Sequence, residues 1–217
     1  MGAFKRIDTV DVQPMGLGGA FGVRMRSAKL ARPTRLDPFA PVLGRLGELE
    51  VRLARTRAEL REAQQLRYHV FYEEMSAKPS AIQRVTRRDR DGFDRFCDHL
   101  LVIDTSRAAG SRIVGTYRLL RQEKAVATGG FYTAGEFEID GLIRRHSGAH
   151  FLELGRSCVL KAYRGKRTVE LLWQGIWAYV QRHRIDVLFG CASLSGTDLN
   201  QLQASLAFLR DHAAAPE

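Results

Sequence analysis

The sequence predicts an α/β domain in which a mixed β-sheet is flanked by helices. Two strand-like segments early in the chain are joined by a short turn, which favours an antiparallel hairpin. Two later strand-like segments are separated by a helix-like segment, which favours a crossover connection. Both connections in one chain indicate a mixed sheet. With 217 residues, of which 45% are hydrophobic, the chain is large enough to bury one such core.

The N-terminal residues 1–45 predict a basic arm outside this domain. They are rich in glycine, proline and arginine and show no sustained hydrophobic period. We therefore expect a mostly disordered arm at 1–45, followed by the folded domain at 46–217. Contact of the arm with anionic lipid and an ill-ordered tail are the two interpretations that its charge leaves open.

The first half of the domain predicts a strand, a helix and a hairpin. Gly47–Leu53 alternates weakly between polar and apolar residues, as a strand does. Thr56 and Glu59 match a capping box, so we expect a helix from there to about Met75. The hairpin strands that we expect next are Leu100–Ile103 and Arg112–Leu120.

The second half predicts alternating helices and strands. The expected elements are a helix over Ala134–Arg145, a strand from Phe151, a helix over Thr168–His183, a strand over Asp186–Cys191 and a helix over Asp198–Arg210. Apolar residues, among them Val169, Trp173 and Trp177, cover most of the circumference of the helix Thr168–His183. This distribution predicts a helix packed on the sheet.

The strand from Phe151 carries two charges within an apolar pattern. Glu153 and Arg156 interrupt it, and in a regular strand they point to opposite faces. A β-bulge at Gly155 would place them on the same face, and glycine within a strand is typical of a bulge. The expected buried face of this strand consists of Leu152, Leu154, Cys158 and Leu160.

A basic turn follows this strand. It consists of Arg164, Gly165, Lys166, Arg167 and Thr168, and it precedes the predicted start of a helix near Thr168. Free N–H groups and the helix dipole favour a phosphate at such a position. Strand and turn together predict a site for an acid-containing ligand.

Charged residues earlier in the chain are candidates to complete this site. Arg67 lies on the apolar stripe of the first helix with Phe71, so it either pairs with a buried anion or extends to the helix edge. Asp91 and Asp94 lie three residues apart in a charged segment, where they hold an amine, pair with Arg67 or belong to a solvated loop. Arg118 lies on a strand face of modest apolarity.

The net charge of +10 predicts an acidic partner, which is nucleic acid, anionic lipid or an acidic carrier protein. The arginines are interspersed with acidic residues, so we expect no nucleic-acid partner, and a basic nucleic-acid-binding protein is the non-enzymatic alternative. Three widely spaced cysteines favour a reducing, cytoplasmic environment. His146 and His150 lack a third ligand nearby, so we expect no metal site.

Five segments in order resemble a known family. They are RYHVFYEE from Arg67, DGFD from Asp91, VGTYRLL from Val114, FLELGRSCV from Phe151 and GCASLSGTD from Gly190. Together they resemble the ornithine N-alpha-acyltransferases, which have the GNAT fold and catalyse the first step of bacterial ornithine-lipid synthesis. A more distant resemblance, to the acyl-homoserine-lactone synthases, makes such a signal synthase the alternative enzyme. No tryptophan follows Phe71 shortly, as it usually does in those synthases.

The resemblance implies transfer of a 3-hydroxyacyl chain from acyl carrier protein to the α-amino group of L-ornithine, giving lyso-ornithine lipid. Glu153 would be the base, assisted by Arg156. The carrier thioester is then a co-substrate, no cofactor is bound, and peripheral contact with the anionic inner membrane suits an amphiphilic product. The residues expected to bind the amino acid are Arg67, Phe71, Asp91, Asp94, Arg118 and Ser193, and those expected to bind the phosphopantetheine arm are Arg164, Gly165, Lys166, Arg167 and Thr168.

Two departures from the family pattern bear on these expectations. The basic turn has a single glycine, Gly165, where the superfamily's phosphate loop usually has two small residues, which favours a carrier protein over coenzyme A. Family members also continue beyond the length of this chain, so we expect the last strands of the GNAT sheet to be absent. A purely structural network of arginine, aspartate and glutamate is the alternative to a substrate site.

Overall fold

The computed structural model describes residues 32–213 apart from 109, 111, 195 and 197, so most of the predicted arm lies outside the described residues. Six strands form one sheet in sequential order: β1 Val42–Leu46, β2 Leu49–Leu53, β3 Asp98–Asp104, β4 Ile113–Arg121, β5 Phe151–Val159 and β6 Val187–Phe189. The helices are α1 Arg57–Tyr68, α2 Ala81–Thr86, α3 Gln122–Ala125, α4 Asp140–Arg145, α5 Lys166–His183 and α6 Leu199–His212.

The mixed sheet predicted from the sequence is confirmed. Strands β1 to β5 pair antiparallel with their neighbours, and β5 pairs parallel with β6. The predicted hairpin is the pair β3 and β4, and the predicted crossover is the helix α5 between β5 and β6. The sheet begins earlier than expected, because Val42–Leu46 pairs with β2 through a turn at Gly47, whose φ is +62°.

The first helix begins as predicted. Thr56 is the N-cap, and its side chain accepts a hydrogen bond from the Glu59 N–H. The Glu59 carboxylate accepts from the N–H of Arg55, one residue before the cap. After Tyr68 the chain continues as a π-helical turn over His69–Glu74, so the helical segment ends near the predicted residue.

The prediction of one helix over Ala134–Arg145 is wrong. The chain instead forms a 3₁₀ turn at Tyr132–Gly135 and, after an interruption, the short α4. The 3₁₀ turn has a tertiary role, because its first N–H groups donate to a carboxylate on β5 (described below). Helix propensity is a weak preference that such tertiary contacts override.

The helix α5 packs on one face of the sheet. Its Leu171, Leu172, Ile176 and Tyr179 are buried against residues such as Val51 and Leu152. Gly175 permits close approach, since a Cβ at this position would lie 2.6 Å from a Val51 methyl carbon. The predicted apolar circumference is only partly buried, because Val169, Trp173 and Trp177 are exposed. The opposite face of the sheet packs against α1 and carries the charged residues predicted for the site.

Candidate active site

The predicted bulge in β5 is present, displaced by one residue from Gly155. On β4, Arg118 pairs with Gly155 and Thr116 pairs with Cys158, so β5 has one extra residue between these pairs. Arg156 is in the left-handed region with φ +50°. A non-glycine residue there is strained by about 1–3 kcal/mol unless its surroundings support it.

The bulge changes which side chains share a face. Residues directly opposite each other on paired strands lie on the same side. Cys158 is opposite Thr116 and Glu153 is opposite Leu120, so Cys158 shares the face of Glu153. The predicted buried face that joined Cys158 to Leu152 and Leu154 is therefore wrong, because the extra residue reverses the alternation beyond the bulge.

Arg67 is buried, with 1% of its surface exposed, so the interpretation in which it extends to the helix edge is wrong. Its Nη2 donates to both oxygens of Asp94 at 2.9 Å, and its Nε lies 2.9 Å from Oδ2 of Asp89. Burial alone would raise the pKa of the Asp94 carboxyl, but the charges of Arg67 and Arg118 outweigh it and the pKa lies below its usual value. The buried arginine and aspartate thus stabilise each other.

Arg118 pairs with Asp91 and Asp94, in the loop that also binds Arg67. Its Nη1 lies 2.7 Å from both oxygens of Asp91 and 3.3 Å from Oδ1 of Asp94. Burial works against its charge, but Asp91 and Asp94 raise the pKa of the Arg118 guanidinium above its usual value. The guanidinium also lies over the Phe93 ring, at 5.5 Å from its centroid.

Arg156 is the most accessible of the three arginines that meet these aspartates, with 30% of its side chain exposed. Its Nε lies 3.3 Å from Oδ2 of Asp89, and its Nη2 lies 3.8 Å from Oδ2 of Asp91. The guanidinium carbon lies 5.5 Å from the ring centroid of Tyr132 and 5.9 Å from that of Phe71. These contacts support its strained backbone and leave part of the guanidinium open to solvent.

Glu153 has different partners from these aspartates. Thr133 donates to its Oε1 through both the N–H, at 2.6 Å, and the hydroxyl, at 2.5 Å, and the Tyr132 N–H donates to Oε2 at 2.9 Å. A carboxylate has about four acceptor positions. Donors among the described residues fill three of them, and the fourth position is on Oε2. Tyr132 links Glu153 to Arg156, because its N–H donates to the Glu153 carboxylate and its ring contacts the Arg156 guanidinium.

The pairing of β5 with β6 ends at Glu153. Phe151–Glu153 pairs with Val187–Phe189, and β5 then continues to Val159 without β6. Gly190, the residue after β6, lies very close to β5. A Cβ on it would be 2.3 Å from the Leu154 carbonyl oxygen. Ligands of α/β sheets commonly bind at the carboxyl ends of parallel strands, and Glu153 lies at this point.

The segment after β6 brings Cys191 toward the same end. The Cys191 Sγ lies 3.5 Å from the Thr133 hydroxyl oxygen and Cys191 is exposed. Ser193 is also exposed.

The basic turn is organised differently from the prediction, because α5 begins at Lys166 with Gly165 as its N-cap. Lys166 and Arg167 therefore belong to the first helical turn and are exposed. Arg164 pairs with Glu74 and donates to the Val159 carbonyl. Thr168 is buried, and its N–H donates to the Gly165 carbonyl.

Sequence reasoning missed three site residues. Asp89 connects Arg67 with Arg156, but it lies in the charged run RRDRD, where any one aspartate resembles a solvated residue. Tyr132 and Thr133 hold Glu153 mainly through backbone N–H groups, which every residue except proline has. The two glycines before Phe131 were the only nearby signal, and they indicate a turn without indicating its partner.

A comparison with family models identifies the domain. A family model described as "Acetyltransferase (GNAT) domain" matches residues 66–174, which include the end of α1, the segment with Asp89, Asp91 and Asp94, the strands β3 to β5 and the first half of α5. The chain belongs to this family, and the predicted GNAT-like fold is confirmed.

Curated relatives carry a more specific name. An L-ornithine N(alpha)-acyltransferase of Agrobacterium fabrum is 54% identical over 80% of this chain and 60% of its own length. One of Rhizobium meliloti is 52% identical over 88% of this chain and 65% of its own length. The chain thus spans less than two thirds of these relatives. The solved structure of FeeM, an N-acyl amino acid synthase from uncultured soil microbes, matches 74% of this chain and 77% of its own at 11% identity and a TM-score of 0.49.

Proposed function

We propose that the protein is an N-acyltransferase that moves a 3-hydroxyacyl chain from acyl carrier protein to the α-amino group of L-ornithine, giving lyso-ornithine lipid. The names of the curated relatives support ornithine as the acceptor. The observation that carries the proposal is the Glu153 carboxylate, held by three donors with one acceptor position left, where β5 and β6 stop pairing.

In the proposed reaction, Glu153 removes a proton from the attacking amine. A free α-amino group has a pKa of about 7.7–8, so most of it is protonated at neutral pH. Because Glu153 is only 4% exposed, a water molecule relays the proton to its Oε2. The amine nitrogen then attacks the thioester carbonyl, the carbon–sulfur bond breaks, and the carrier thiolate takes up a proton. A backbone N–H at the β5 bulge is our candidate for stabilising the oxyanion.

Burial changes the roles that we assign to the arginines. Arg67 and Arg118 have 1% and 5% of their surfaces exposed and bind aspartates, so they are positioning residues in this proposal and do not contact ornithine. Arg156 is the accessible guanidinium, and we assign it to the α-carboxylate. Asp91 is more exposed than Asp94, so it is the better candidate for the side-chain ammonium. Phe71 contributes through its contact with Arg156, and Ser193 remains a candidate contact.

The donor side of the proposal is supported by charge. Acyl carrier proteins are acidic and this chain carries a net charge of +10. Lys166 and Arg167 are exposed at the start of α5, where cations and helix N–H groups favour the phosphate of the phosphopantetheine arm. Arg164 and Gly165 shape this turn, and Thr168 anchors it through its buried side chain.

We place this reaction in the cytoplasm, where carrier thioesters are made. The unpaired state of Cys97, Cys158 and Cys191 is consistent with a reducing compartment. Within the part of the chain that the structure describes, every helix is too short or too polar to cross a bilayer.

The test is to incubate the protein with 3-hydroxyacyl carrier protein and L-ornithine and to measure the release of carrier thiol and the acylated product. We expect release that depends on ornithine and that is much faster with the carrier thioester than with the matching coenzyme A thioester. Lysine and glycine serve as control acceptors. Absence of release with every amino acid would refute the proposal.

A further inference from the structure

An exposed apolar line runs along the outside of α5. Val169, Trp173 and Trp177 are 46%, 50% and 63% exposed, and we call these three residues the tryptophan stripe. Their spacing of four residues places them along one side of a helix over about 12 Å. The chain contains two tryptophans, and both are in the stripe.

Packing among the described residues does not account for the stripe. The residues that attach α5 to the sheet, such as Leu172, Ile176 and Val180, are almost fully buried. Tryptophan is normally buried for most of its surface, so two on one exposed line indicate a surface that contacts something else.

Cations precede and follow the stripe along the chain. Lys166 and Arg167 precede it, and Arg182 and Arg184 follow it, all exposed. Glu170 is the acidic residue on this part of the helix, and it pairs with Lys166 at 3.6 Å. An apolar aromatic line between basic ends, on a chain of charge +10, complements a surface that is both apolar and anionic.

We propose that the tryptophan stripe binds the surface of an anionic lipid bilayer. Indole rings favour the interface between headgroups and acyl chains, and lysine and arginine side chains reach outward to anionic headgroups. An acidic carrier protein is the other candidate partner with this charge. Glu153 and Arg118, however, lie on the face of the sheet opposite α5, and the carrier's arm has to reach that face. In the proposed function the carrier's phosphate binds Lys166 and Arg167, at the start of α5, whereas Trp173 lies about 10 Å beyond Lys166 along the helix and remains able to contact lipid.

The experiment uses intrinsic fluorescence, because each tryptophan in the chain reports on the stripe. With vesicles containing anionic phosphatidylglycerol, we expect the emission to shift to shorter wavelength and to be quenched by brominated acyl chains. With purely zwitterionic phosphatidylcholine vesicles we expect at least tenfold weaker binding. Equal binding to both vesicles, or a shift without quenching, would overturn the proposal.

Sedimentation with vesicles tests the residues themselves. We expect the double variant Trp173→Ala/Trp177→Ala to bind anionic vesicles at least tenfold more weakly. The matched control is Ile82→Ala/Val85→Ala, which removes two even more exposed apolar side chains from α2 and should bind as the unaltered chain does. Equal loss in both variants would refute a specific role of the stripe.

Two further measurements exclude the alternatives. Melting curves establish that each variant is folded, as expected for substitutions at exposed positions. Sedimentation equilibrium without lipid establishes whether a second copy covers the stripe. A dimer that dissociates in the tryptophan double variant would overturn the proposal, as would a carrier protein that protects the tryptophans from quenching by iodide. Neither result depends on whether the chain acylates ornithine.

Discussion

Two charged regions lie side by side on one face of the sheet, and they are built differently. Arg67, Arg118, Asp89 and Asp94 are buried and pair with one another. Glu153 is also buried, but its partners among the described residues are N–H groups and a hydroxyl, and no described cation forms an ion pair with it. We call the first region the closed region, because its charges pair with one another, and it is suited to stabilise the fold. The second retains one acceptor position and is suited to take a proton. Arg156 lies between them and is partly exposed.

The largest expected effect comes from Glu153→Gln. The amide keeps an acceptor for Thr133 but cannot accept a proton at neutral pH. We expect kcat for the proposed transfer to fall by about 10²–10⁴-fold, as is typical for loss of a general base. Thiol release by single turnover measures this change. Full activity of the variant would remove Glu153 from the mechanism.

Substitution of the closed region should act on stability. Arg67→Ala removes the nearest cation from the buried Asp94 and Asp89 carboxylates, and we expect a loss of about 3–5 kcal/mol in the free energy of unfolding. Urea denaturation measures it. Arg61→Ala, an exposed arginine on the same helix, is the matched control and should change the value by about 0.5 kcal/mol or less. Similar values for both variants would contradict the comparison.

The pH dependence of stability tests the same region through His99. Burial lowers the pKa of this histidine to about 4, and Arg67 and Arg118 add to the effect while Asp94 opposes it. Because the unfolded chain binds a proton below pH 6.5 that the folded chain refuses until about pH 4, stability should rise with pH across this window. Across this window we expect the free energy of unfolding to increase by about 3 kcal/mol, because His99 binds one proton per molecule.

His99→Gln is the variant for this test. It keeps a donor for the Asp94 carbonyl, which His99 contacts through Nε2 at 2.9 Å, and it does not titrate. We expect the free energy of unfolding to rise less steeply with pH between pH 4 and 6.5, by the amount that corresponds to about one bound proton. An unchanged slope would show that another group is responsible.

Arg156 should affect acceptor binding more than folding. Loss of a charge-assisted contact is worth about 1.5–3 kcal/mol, so we expect Arg156→Ala to raise the KM for ornithine by about 10–100-fold. Arg156→Lys keeps the charge without the planar fork and should recover part of the loss. An unchanged KM in both variants would assign the carboxylate to another residue.

The smallest effect should come from Thr133→Val. This change removes the hydroxyl that donates to Oε1 of Glu153 and keeps the N–H that donates to the same oxygen. We expect a loss of about 1 kcal/mol in stability and a shift in the pH–rate profile. Thr133→Ser should restore the profile, and a profile unchanged in Thr133→Val would mean that the hydroxyl does not position the carboxylate.

Much of the fold follows from local patterns. The mixed sheet, the capped start of α1, the hairpin of β3 and β4 and the crossover through α5 were all predicted, because periodicity and turn residues report on neighbouring positions. The failures have a common origin. The 3₁₀ turn at Tyr132–Gly135 is held by a carboxylate 20 residues away, which no local pattern contains.

The amino-acid sequence alone indicated most of the helices and strands, the excess of positive charge and the presence of Glu153 and Arg156 on one strand near a bulge. The tertiary structure decided which charges meet. Arg67 pairs with Asp94, which is 27 residues away in the sequence. The extra residue at Arg156 reverses the alternation of side chains between the two faces of β5 that the sequence pattern implied. The tertiary structure also left Trp173 and Trp177 outside the core. Apolar character favours burial, but the geometry of the sheet limits how much of a helix can be covered.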